Sequence, residues 1–181
     1  LVAAAAALDS INKKDLGELK NLKSPPAGID DVTGACIYLL HDGGKGKIDV
    51  SWKASQGMMK DVNAFLDTLL NYKGRIDSGA VPKKNFENIR PLIAKEHFNV
   101  ETMTKKSAAA AGLTDFVLNI TVYWDINEDV EPKRLAAESA TNQLNEAVAA
   151  KEAALAKKAE AEATVAELEA QYAEAMANKD A

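Results

Sequence analysis

The sequence predicts an all-α protein: a small bundle of short helices, followed by one long helix. Two observations carry this. Beyond Pro132 there is neither glycine nor proline, and Ala, Glu, Lys, Leu and Gln, the strongest helix formers, dominate. Before Pro132, apolar residues recur at helical spacing in short runs that proline or glycine closes. A chain of 181 residues that is 47% hydrophobic can bury a core. Much of that apolar content is alanine and only 6% is aromatic, so the core should be modest.

The opening run "LVAAAAAL" reads as a helix cut mid-course, which marks the sequence as a piece of something larger. It lacks a basic leader and a cleavage motif, and falls far short of the ~20 apolar residues of a membrane span. From Ser10 to Leu22, the residues Ile11, Leu16, Leu19 and Leu22 give a short helix that stops at Ser24-Pro25-Pro26. Ile29, Val32, Cys36, Ile37 and Leu40 form the apolar face of the next, with Asp30 and Asp31 at the positive end of its dipole. That helix should end at Asp42-Gly43-Gly44.

A longer helix follows. Ser51 is its N-cap, Met58, Val62, Phe65, Leu66, Leu69 and Leu70 its face, and Gly74 its end. Val81-Pro82 opens another short helix around Phe86 and Ile89, which Pro91 interrupts. The segment "FVLNITVYW" (116–124) is ambiguous. Phe116, Leu118, Ile120, Val122 and Trp124 alternate as in a strand. Leu113, Phe116, Val117, Ile120 and Trp124 also make a helical face, and the alanine run before them favours the helix.

The stretch after Pro132 would run ~70 Å as a helix. Alternating steps of four and three pick out Leu144, Val148, Lys151, Leu155, Lys158, Glu162, Val165, Glu169, Tyr172 and Met176. This is the 3.5-residue repeat of a coiled-coil seam, weakened by four charges. A helix with such a stripe needs a partner.

Several function classes are excluded or disfavoured. The net charge of −5 lies wholly in residues 135–181, with four lysines against nine acids, and residues 1–134 balance. Charge balance argues against nucleic-acid binding. The single cysteine, Cys36, sits in an apolar stretch and reads as core; neither His41 nor His97 has ligand spacing, so no metal is expected. In "HDGGKGKIDV" (41–50), Gly46-Lys47 would be the G-K pair of a phosphate loop, but the first glycine position is His41 and the hydroxyl position is Ile48. No nucleophile–base pair is present, so an enzyme and a cofactor are not expected.

Three stretches in order resemble the stalk tip of dynein heavy chains. They are "KKDLGELKNLKSPPAGIDDVTGACIYLL" (13–40), "SWKASQGMMKDVNAFLDTLLNY" (51–72), and "KSAAAAGL" (106–113) followed by "DVEPKR" (129–134). The resemblance covers roughly residues 10–135. The second stretch and the longer loop at 41–51 are more similar to axonemal than to cytoplasmic heavy chains. The resemblance implies a globular microtubule-binding domain (10–131) at the end of an antiparallel coiled coil. Residues 1–9 would be the stub of its outgoing helix and 132–181 its returning helix. It implies a non-catalytic fragment of an ATPase motor, a microtubule of α/β-tubulin as partner, and an axonemal setting in a cilium or flagellum. No nucleic acid or membrane is implied, and light-chain contacts stay open.

By position, the resemblance carries tubulin contact to Lys13, Lys14, Lys20 and Lys23 around the first helix. It does the same for Lys53 and Lys60 on the second, and for Lys105 and Lys106 on the third. Gln56 and Asp61 stand where cytoplasmic relatives have arginine, and Glu128 and Asp129 precede Val130 where those relatives are basic. Lys13, Lys20 and Lys23 can share part of one helix face, and lysine clusters steer onto acidic surfaces such as tubulin's. The 41–51 loop corresponds to the insertion called a flap. It reads as a short β-hairpin or mobile loop presenting Lys45 and Lys47, with a plain connector as the alternative. In this family a change of register between the stalk helices alters tubulin affinity, and the weak seam suits sliding. Pro25-Pro26 and Pro132 would be fixed joints. A coiled-coil self-assembly module without tubulin binding is the rival reading.

Overall fold

In the computed structural model, residues 2–180 are described. Every regular element among them is a helix: α1 (Val2–Asp9), α2 (Lys13–Lys20), α3 (Ile29–Leu40), α4 (Trp52–Met58), α5 (Val62–Leu70), α6 (Tyr72–Asp77), α7 (Lys83–Ile93), α8 (Val100–Thr104) and α9 (Ala108–Asp180). The chain divides into two units, one ending at Glu128 and one beginning at Asp129.

Side-chain caps set several helix starts in the first unit. Asn12 accepts from the Lys14 N–H to open α2, Ser51 accepts from Ala54 to open α4, and Asn99 accepts from Thr102 to open α8. The single long helix expected from Ser51 to Gly74 is instead three. Asp61 takes an extended backbone conformation and its carboxylate accepts from the Ala64 N–H at 3.0 Å, so a new helix starts there. Gly74 lies inside α6 and does not end it. Pro91 does not interrupt its helix either. α7 runs on to Ile93, held by Leu92 and Ile93 packing against the core.

Segment 116–124 is helical. Phe116, Val117, Ile120 and Trp124 are buried, whereas Val122 is 57% exposed. A strand would have put Val122 on the buried side.

The core of this unit is built around α3, whose Ile29, Val32, Ala35, Cys36 and Leu39 are fully buried against α7 and α4. Phe86 stacks on Trp124 with ring centroids 4.3 Å apart, and Tyr72 meets Phe86 and Phe116 at 6.3 and 6.5 Å. The carbonyls at the end of α3 are satisfied from other helices. Tyr72 donates to Leu39 O at 2.7 Å, and Asn85 donates to Leu39 O at 3.0 Å and His41 O at 2.7 Å. Within the core, Ser55 donates to Thr33 Oγ1 at 2.9 Å, joining α4 to α3.

The second unit is the remainder of α9, which contains Pro132 within its length. Its residues from Pro132 onward are exposed, among them Leu144, Val148, Leu155, Val165, Leu168, Tyr172 and Met176. Ion pairs one helical turn apart decorate it: Arg134 with Glu131 at 2.6 Å and with Glu138 at 3.0 Å, and Lys158 with Glu162 at 3.9 Å.

Candidate functional site

Some of the lysines singled out by sequence, Lys20, Lys60 and Lys106, are tied to the end of α2 and the turn that follows it. α2 buries Leu16 and Leu19 and leaves Lys13 and Lys14 exposed in its first turn. At its other end three carbonyl-directed bonds come from α4. Trp52 Nε1 donates to Leu22 O at 2.9 Å, and Gln56 Nε2 donates to Lys20 O at 2.8 Å and to Leu22 O at 3.0 Å. In return, Lys20 Nζ donates to Lys60 O at 3.0 Å, just beyond the end of α4.

Further along the turn, Lys106 Nζ donates to Ala27 O. The next residue, Gly28, has φ 90°, a left-handed conformation suited to glycine. A Cβ there would lie 2.7 Å from the His97 ring, so this turn sits directly on the loop after α7. Asp31, in the first turn of α3, accepts from Lys95 at 2.7 Å and pairs with His97 Nε2 at 2.6 Å. Burial alone would raise the Asp31 pKa; the bonds and charges of Lys95 and His97 outweigh it and hold the carboxyl below the usual carboxylate range.

The structure thus brings together part of the predicted set. Lys20 is half-buried, with its ammonium on the Lys60 carbonyl. Lys23 is exposed but lies in the turn past α2, so it does not share a helix face with Lys13 and Lys20. Lys53 is exposed on α4 beside the Trp52 anchor, and Lys60 is exposed after it. Lys105 caps α8 and lies 3.8 Å from Glu101, while Lys106 is in the turn before α9. Both were expected on a helix; neither is within one.

The loop expected as a possible hairpin contains no strand. Gly43 and Gly46 have positive φ, and the Gly43 N–H donates to His41 Nδ1 at 3.0 Å. Ile48 and Val50 are half-buried, so they turn toward the body of the unit and do not form a second hairpin arm. Lys45 and Lys47 are exposed on this loop. Asp49 links it to α4: hydrogen bonds from Ser51 first, then the charges of Lys47 and Lys53, hold its carboxyl below the ordinary range.

Sequence reasoning missed the inward use of Trp52 and Gln56 and the Asp31–Lys95–His97 cluster. The only available signal for the first was the spacing of Trp52 and Gln56, one helical turn apart. Among the described residues no group of three or more His, Cys, Asp or Glu side chains is placed to hold a metal, and no helix is long and apolar enough to cross a membrane.

Comparison with known proteins gives one consistent result. The family model described as the microtubule-binding stalk of dynein motor matches residues 1–180. The chain is 49% identical over 143 residues to the flagellar outer arm dynein alpha chain of Chlamydomonas reinhardtii, which covers 77% of this chain. It is 40% identical over 147 residues to human dynein axonemal heavy chain 9, covering 81%, and 39% identical over 144 residues to the ciliary dynein beta chain of Tripneustes gratilla, covering 80%. The chain spans about 3% of the length of each of these relatives.

Proposed function

The chain belongs to the family of dynein microtubule-binding stalks, and on that premise we propose that it anchors its parent motor to the α/β-tubulin lattice through the lysine surface around the end of α2. The observation that carries this reading is the set of bonds joining Trp52 and Gln56 to α2, Lys20 to Lys60, and Lys106 to Ala27. They gather lysines from separate segments onto one part of the unit. Lys13, Lys14, Lys23, Lys53 and Lys60 have no carboxylate within 4.0 Å among the described residues, so their charge is free for an acidic partner. Lys45 and Lys47 add a second point of contact from the 41–51 loop.

As a stalk segment the chain is non-catalytic. In the parent heavy chain, ATP hydrolysis belongs to a distant ring, and the stalk transmits it as a change of helix register that alters tubulin affinity. On this reading residues 1–9 are the stub of the outgoing stalk helix, 10–131 the tubulin-binding head and 132–181 the returning helix, with positions 1 and 181 lying outside the described residues. The relatives are flagellar, ciliary and axonemal dyneins, which supports an axonemal location. The exposed apolar stripe from Leu144 to Met176 favours one second reading, self-assembly through a coiled coil.

Co-sedimentation with stabilised microtubules across a salt series separates the two. Wild type should pellet with a salt-sensitive affinity, and Lys13→Glu/Lys53→Glu should lower that affinity at least tenfold at low salt. Concentration-dependent dimerisation with no pelleting at any salt would favour the self-assembly reading and refute the anchor.

A further inference from the structure

We infer that Trp52 and Gln56 are positioning residues of the microtubule-binding surface: they fix the end of α2 against α4 so that the lysines of both helices act as one surface. This rests on the anchor reading above and adds to it two uncharged residues, neither of which meets tubulin in this account.

The last carbonyls of any helix lack intrahelical partners and must find donors elsewhere. Those of α2 would ordinarily take water, since the helix ends at the protein surface. Here Lys20 O, the last carbonyl of α2, takes a side-chain donor from α4, and Leu22 O, in the turn just past the helix, takes two, which fills both of its lone pairs. Because both acceptors are carbonyls, the Gln56 amide has only one consistent orientation, with its NH2 group toward α2. The exchange is reciprocal, since Lys20 closes on Lys60 O at the far end of α4. Trp52 and Gln56, one turn apart on α4, therefore both reach the end of α2, and the Lys60 carbonyl just beyond α4 receives Lys20.

Charge supports the division of labour. An anchor on an acidic lattice is built from cations, yet the two closest ties between these helices are a neutral indole and a neutral amide. Gln56 has both amide hydrogens committed inward, which leaves only its acceptor oxygen for a partner. Lys23 directly follows Leu22 and Lys53 directly follows Trp52, so the clasp ties together the two segments that carry them.

Two variants remove donors while keeping bulk: Gln56→Met and Trp52→Phe. Amide hydrogen exchange over residues 19–23 reads the clasp, exchange in α3 and α7 verifies the fold, and microtubule pelleting reads the consequence. Both variants should speed exchange over 19–23, leave α3 and α7 unchanged, and weaken binding roughly five- to tenfold. Gln56→Lys restores a donor and should restore protection over 19–23. Lys53→Gln, a contact variant, should weaken binding and flatten the salt dependence without altering that exchange. Wild-type binding with both donor variants within twofold of it would overturn the inference while leaving the anchor intact. Failure of wild type to bind would refute the anchor and the positioning role together. Unchanged exchange over 19–23 in the variants would overturn the clasp itself.

Discussion

Replacing Gly112 by alanine should destabilise the bundle, although helix propensity alone argues the reverse. Gly112 lies in the second turn of α9, where alanine in place of glycine is worth ~1 kcal/mol. A Cβ at this position meets Ile11 Cγ1 at 2.5 Å, Ile11 Cδ1 at 3.2 Å and the Ala7 carbonyl oxygen at 3.5 Å. The first of these is about an ångström inside the ~3.5–4 Å optimum for two carbons. Ile11 is only 7% exposed and sits in the short link between α1 and α2. Its Cγ1 is bonded directly to Cβ, so it yields only by a χ1 change that β-branching resists, or by moving the backbone.

Overpacking of this kind costs ~1–3 kcal/mol, and subtracting the ~1 kcal/mol propensity gain leaves a net loss of about 1 kcal/mol. Urea unfolding followed by tryptophan fluorescence measures it cleanly. Trp52 and Trp124 both lie in the unit ending at Glu128, so the rest of α9 does not contribute. Ile11→Ala alone should cost ~2–5 kcal/mol, and the double variant should be less unstable than the two losses added, because the new methyl fills part of the space vacated. A Gly112→Ala protein stabilised by about 1 kcal/mol would refute the reasoning, since propensity would then act without any steric cost.

Two further outcomes test the rest of the unit. Asp31 has a folded pKa below its unfolded value, near 4. Its stabilising effect is therefore present above that unfolded value and is lost as pH falls through the folded one. Asp31→Asn should cost about 1 kcal/mol at pH 7. Its gap to wild type, measured by urea unfolding, should close on acidification below pH ~4; a gap that widens would contradict the assignment. Burial pushes the Cys36 thiol up to about 12, and the residue is fully buried. A thiol reagent at pH 8 should leave the native protein unlabelled and label one cysteine in denaturant, and rapid labelling of the native protein would contradict that burial.

Legibility in the sequence followed the apolar period closely and failed where a single side chain cut it. The helical choice for 116–124 was readable because Phe116, Val117, Ile120 and Trp124 share one face, and the start of α3 because its face begins at Ile29. The break between α4 and α5 was not. Val62, Phe65, Leu66 and Leu69 continue a face begun at Met58, and only the Asp61 carboxylate on the Ala64 N–H interrupts the backbone. α8 was missed because five residues are too few to display a period; its signal was the Asn99 cap. The loop at 41–51 had hairpin glycines and two alternating apolar residues, but Ile48 and Val50 gain more by burial against the body than by pairing across a two-residue ladder.

The lysines show how far residue type alone can go. A list of cations was available from the resemblance, but not what each cation does in the fold. Lys20 stands in the last turn of α2, where a positive charge suits the helix dipole, and its ammonium also holds Lys60 O. Lys106 holds Ala27 O, and Lys105 lies beside Glu101. Folding accounts for those three without any partner. It does not account for Lys13 and Lys14, which sit in the first turn of α2, where the dipole disfavours cations and Asp15 offsets only part of the charge. Nor does it account for Lys23, Lys53 and Lys60, which have no ion pair among the described residues. On the proposed anchor, these five lysines are the ones left to meet an acidic surface. The neutral donors of Trp52 and Gln56 supply the geometry that those free charges cannot supply for themselves.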